Sequence, residues 1–152
     1  MKGLVERIEE LLHMQERLIN LLLLSHRARV STNTAFDLLY YNVELLDLIS
    51  QLLASSETED YPVDYSLSLA LEALSWIGVV LPTIESACPI FLEGVGPREP
   101  LQRIGLILGG LEETYRTEGH HRMMQIAQEL RDFSNFLKYQ IVLARRAYAN
   151  LA

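Results

Sequence analysis

Apolar residues recur along this chain at alternating spacings of three and four, the period of a helix with one face in a core. From Leu4 to about Arg29 the stripe is Leu4, Ile8, Leu11, Leu18 and Leu22, widened by Val5, Leu12 and Ile19. Gln15 falls in that stripe where an apolar side chain is expected, and Leu21 to Leu24 make the end of the segment apolar nearly all round. Ser31 to Thr34 are all N-cap residue types, and Thr34 with Asp37 approximates a capping box, so a second helix starts there. Its stripe is Ala35, Leu38, Leu39, Leu45, Leu46, Ile49, Leu52 and Leu53, stopped by the polar run after Ala54. A third helix is predicted from about Pro62–Ser66 to Leu81, before Pro82. It has two apolar faces, Leu67, Leu71, Leu74, Ile77 and Leu81 on one and Leu69, Ala73, Trp76 and Val80 on the other, and is expected to be the most buried element.

Residues 83–100 hold three prolines and two glycines, which breaks any long helix and predicts an irregular connection. After Pro100 a fourth helix carries Leu101, Ile104, Leu108, Leu111 and Tyr115. Gly105 and Gly109 lie one turn apart on one of its faces, each costing about 1 kcal/mol against alanine, which predicts close approach of another helix there. The last helix, from about His120 to Leu151, has a heptad seam of Ile126, Leu130, Phe133, Leu137, Gln140, Ala144, Ala147 and Leu151. If the two long terminal helices pack antiparallel, Gln15 and Gln140 can pair, since a buried amide without a partner is costly; the alternative is that both sit at the edge of their stripes. Phe136, Tyr139 and Leu143 form a second ridge off the seam, suited to a contact outside the fold. The pattern predicts an all-α protein: one domain over 1–152, an up-and-down bundle of four to five helices with its irregular connection at about 83–100.

Composition agrees with a packed core, 49% apolar and 22% charged. The charge is −7, and between Arg29 and Arg98 there are ten carboxylates and no Lys or Arg. That balance argues against broad nucleic-acid binding, which draws on clustered cations. The N-terminus has no apolar run of signal-peptide length, and the longest uncharged stretch, Ala73 to Ile84, is 12 residues, while a bilayer span needs about 20. Neither secretion by that route nor a membrane partner is expected. The lone Cys88 cannot form an intramolecular disulfide, and a reducing, cytoplasmic setting fits it.

Candidate chemistry is sparse. Around Arg116 to His121 the sequence reads RTEGHH, ahead of a long helix. An Arg followed by four to six residues and a His near the start of a late helix resembles the ribonuclease motif of the HEPN family of small helical bundles. The resemblance covers six residues and departs from the usual pattern at Thr117. It implies a metal-independent ribonuclease in which His121 moves a proton and Arg116 steadies a phosphate. Nearby Glu112, Glu113, Glu118, His120 and His121 are metal-ligand types. Adjacent helical histidines point about 100° apart, however, and no pair shares a face at ligand spacing, so no metal and no cofactor is expected. Glu72 is the only charge between Asp64 and Glu85. It is either a buried carboxylate, a buried-polar candidate like Gln15 and Gln140, or part of a solvent strip with Ser68, Ser75 and Val79. A nucleophile elbow and a phosphate loop are both missing from the sequence. The expected function is a non-catalytic protein-interaction module, an adaptor, chaperone-like or assembly protein with a protein partner or itself as a homodimer. The alternatives are the ribonuclease and a small-molecule-binding bundle whose pocket lies near Glu72 and Trp76.

Overall fold

The computed structural model describes residues 3–24, 32–56, 63–87, 98–117 and 122–151. They form five helices and, among the described residues, no strand: α1 (Leu4–Leu24), α2 (Thr32–Ser56), α3 (Val63–Ala87), α4 (Arg98–Thr117) and α5 (Met123–Leu151). The all-α bundle expected from the periodicity is what the chain forms.

The boundaries differ from expectation around the prolines. α3 does not stop at Leu81 but continues through Pro82 to Ala87. The proline removes one N–H, so one carbonyl a turn earlier, at Gly78, loses its helical partner. Pro82 itself is exposed, while Val80 and Leu81 are buried and hold that turn against the core. α4 starts at Arg98, before Pro100. Pro100 thus lies in the first turn, where its N–H would have had no helical partner. The irregular connection contracts accordingly, and its remainder, 88–97, falls outside the described residues.

Side-chain pairs give the topology. Lys138 Nζ donates to Asp47 at 3.1 Å, Arg145 to the Tyr40 hydroxyl at 2.9 Å, and Ser50 Oγ to the Ala127 carbonyl at 2.7 Å. Rising numbers in α5 meet falling numbers in α2, so the two are antiparallel. Arg122 beside Glu113 and Arg103 over Phe136 make α4 and α5 antiparallel in the same way. α1 crosses α2 at Arg7, whose Nε and Nη2 donate to the two Glu44 oxygens at 2.8 and 3.1 Å. It runs parallel to α3, with Glu9 beside Tyr65 at one end and Ile19 and Asn20 near Trp76 and Val79 at the other. Helices α2 to α5 close a ring, α2 and α4 each antiparallel to α5 and each packing on α3 and α5, and α1 lies outside it on α2 and α3.

The central helix is α2 rather than α3. It touches α1, α3 and α5 and buries Leu38, Leu39, Leu45, Leu46, Ile49, Leu52 and Leu53 completely. α3 contains a stretch, Asp64–Pro82, long and apolar enough by composition to cross a membrane, and half of it is buried in the bundle. The α5 seam is buried from Ile126 to Ala144, Gln140 included. On α4 the buried line is Ile104, Ile107, Leu111 and Thr114, not the line to Tyr115, which is 47% exposed. Thr114 tolerates burial because its hydroxyl donates to the Gly110 carbonyl at 2.7 Å.

The expected pairing of Gln15 with Gln140 does not form. Both are buried, but α1 and α5 dock on different sides of α2. Gln15 is 0% exposed, and neither atom of its amide has a hydrogen-bond partner among the described residues. Asn42, also at 0%, donates through Nδ2 to the Leu38 carbonyl at 2.6 Å, while its Oδ1 is unpartnered among the same residues.

Candidate functional site

Because α1 and α3 are held mainly by α2 and touch each other less, a groove opens between them. On α1 its wall is Glu9, His13 and Glu16, spaced four and three apart on the polar side of the helix. On α3 the wall is Tyr65, Ser68, Glu72 and Trp76, again one helical line. This first part encloses about 290 Å³. Glu72 and Trp76 also line a continuation of about 560 Å³, flanked by Ile19, Asn20, Ser75 and Val79.

Glu72 is exposed, as are Ser68, Ser75 and Val79 beside it. Of the two placements expected for Glu72 the buried carboxylate is thus corrected and the solvent strip is found: the one charge between Asp64 and Glu85 on α3 stands where its hydration is kept. Across the groove the Tyr65 hydroxyl donates to Glu9 Oε1 at 2.6 Å. That hydrogen bond, then burial and the charges of Glu9 and Glu72, push the Tyr65 phenol above its ordinary range. The groove therefore carries negative potential from three carboxylates, and no Lys or Arg among the described residues lines it. The half-buried Trp76 indole and the Tyr65 ring give it aromatic surface, the combination that receives a cation with an apolar stem.

A second surface lies on the outer side of α4 and α5. Leu106 is 78% exposed, the most open of the large apolar side chains described, and the flanking Gly105 and Gly109 have nothing within 4 Å of where a Cβ would stand. The close approach predicted at these glycines is therefore not made by another described part of this chain. Between α4 and α5 a groove of about 260 Å³ is lined by Arg103, Leu106, Ile107, Glu129, Asp132 and Phe133. Of the second ridge on α5, Phe136 is half-buried, with its ring centroid 6.2 Å from that of Phe133 and the Arg103 guanidinium 4.5 Å from its own centroid. Tyr139 and Leu143 are exposed, with Val142 beside them.

The ribonuclease pair is not assembled among the described residues. Arg116 is exposed in the last turn of α4, and His121 lies outside them. Arg122, which would have supplied further positive charge, faces Glu113 at 3.6 Å. No group of three or more His, Cys, Asp or Glu side chains is arranged to hold a metal among the described residues. Glu118 and His120 also lie outside them, as does Cys88.

What sequence reasoning missed was α1's share of the groove. The polar line Glu9, His13, Glu16 and Asn20 reads as an ordinary solvated face, and only the parallel packing of α1 beside α3 sets it opposite Glu72 and Trp76. A family model described as "Uncharacterized protein" matches residues 1–151. No curated protein and no solved structure matches the chain.

Proposed function

We propose that this chain, which belongs to the family matched over residues 1–151, is a non-catalytic helical interaction module that receives a basic segment of a protein partner in the α1–α3 groove. The observation that carries this reading is the lining: Glu9, Glu16 and Glu72 converge with His13, Tyr65 and Trp76 on one open groove that no Lys or Arg lines among the described residues. Three carboxylates on one short surface repel one another, and a lysine or arginine chain laid between them relieves that repulsion while its stem covers the indole. A partner of this kind fits the adaptor and assembly roles for which a helical bundle offers a rigid face.

Trp76 is the only tryptophan, so its fluorescence reports the groove directly. Titration with a Lys/Arg-containing peptide is expected to change that emission saturably, with affinity falling as salt rises. Glu16→Gln and Glu72→Gln are each expected to weaken binding, and a peptide with Glu in place of its cations is expected not to bind. Equal affinity of wild type and Glu16→Gln/Glu72→Gln, or no saturable signal, would overturn the reading. A second reading, a small organic cation as ligand, is supported by cavity volumes close to the usual ligand-pocket range of about 300–1,000 Å³. A short alkyl diamine in the same titration separates the two.

A further inference from the structure

Charge is divided along this chain: residues 1–97 hold five basic and fourteen acidic side chains, whereas 98–152 hold eight basic and six acidic. Two copies meeting through α1, α2 or α3 would bring carboxylates together. The α4–α5 face is where an acidic protein can meet itself without that repulsion, and it carries both signs, with Arg103, Glu129 and Asp132 around one groove.

The same face has a knob and a hole. Leu106 stands out at 78% exposure on the rim of the apolar groove floored by Ile107 and Phe133. Gly105 and Gly109 leave bare backbone next to it, with open space beyond. A two-fold contact requires one patch to be complementary to itself, which a projecting leucine beside an apolar groove and a mixed-charge rim provides. Glycines one turn apart, which weaken an isolated helix, are what two helices need to cross closely.

We infer that the outer face of α4 and α5 is a two-fold interface between copies of this chain, in which Leu106 of each copy enters the α4–α5 groove of the other and the backbones cross at Gly105 and Gly109. Tyr139 and Leu143 extend the contact along α5. The inference is independent of the α1–α3 groove, which the dimer leaves open.

The test is sedimentation velocity on the full chain over a concentration series reaching the high micromolar range. Wild type is expected to be a dimer. Leu106→Glu and, separately, Gly109→Gln are expected to raise the dissociation constant at least tenfold with helicity by circular dichroism unchanged, since both sites are exposed. Val79→Glu, on the α1–α3 side, is expected to leave the dimer intact. A monomeric wild type overturns the inference. So does a dimer that survives both α4 substitutions, or one that Val79→Glu dissociates instead. Should Leu106→Glu lose helicity, Gly109→Gln alone decides.

Discussion

Replacing Gln15 by methionine is expected to stabilise this protein. Gln15 is 0% exposed in the interior of α1, and its amide oxygen and nitrogen have no hydrogen-bond partners among the described residues. Leaving a buried polar group unsatisfied costs about 1–3 kcal/mol relative to its hydrated state. Methionine is unbranched, of similar length and of nearly equal helix propensity, so it removes the amide with little change in backbone preference or volume. The expected gain is thus about 1–3 kcal/mol, which for a chain of this size raises Tm by about 2–4 °C per kcal/mol. Urea unfolding followed by circular dichroism gives the same quantity as a higher midpoint at unchanged slope. Gln15→Ala separates the polar from the packing contribution, because it removes the same amide but leaves a void, and is expected to fall below the methionine variant. A loss of about 1 kcal/mol or more in Gln15→Met would refute the reasoning, since it would mean that the amide is satisfied in the folded state.

Three other outcomes are expected. A double-mutant cycle on Arg7→Ala and Glu44→Ala should give a coupling of only about 0.5–1 kcal/mol despite the two-pronged 2.8 and 3.1 Å geometry, since each side chain is about a third exposed. Gly105→Ala and Gly109→Ala, measured in a Leu106→Glu background by thermal unfolding, should each stabilise the fold by about 0.5–1 kcal/mol, because nothing stands within 4 Å of the added methyl. A lower Tm would show that a neighbour occupies that space. The raised Tyr65 pKa means that the folded protein holds this phenolic proton more tightly than the unfolded chain does. Its contribution is therefore present below the ordinary tyrosine range of about 10 and lost as pH rises through the folded value. Relative to Tyr65→Phe, wild type should lose stability only in that alkaline window, and one tyrosinate that appears above the ordinary range in absorbance titration should vanish in the variant.

Helix periodicity made most of the fold legible in advance. The seams of α2 and α5 are continuous over many turns, so burial of Leu38 to Leu53 and of Ile126 to Ala144 follows from spacing alone. Errors fell where a local signal competed with packing. Pro82 reads as a stop, yet buried Val80 and Leu81 carry α3 across it. Gln15 and Gln140 interrupt their stripes alike and invite pairing, but both terminal helices need α2, and one helix cannot offer both the same side. The apolarity of α3 suggested the centre of the bundle, while the most extensive packing went to α2, above all against α5. The groove was half legible, with Glu72 and Trp76 marking one wall. Its other wall depends on which helix lies parallel to α3, a fact of docking that spacing within one helix does not encode.

The division of charge between the two halves of the chain has a kinetic consequence. A molecule with its negative charge gathered at α1 to α3 and a slight positive excess on α4 and α5 has a large electric dipole. In its field the cationic partner proposed above would be turned and drawn toward the acidic side before any surface touches, which would quicken productive encounters and make their rate fall with ionic strength. Were both proposed contacts made, encounters at the two faces would be sorted during diffusion.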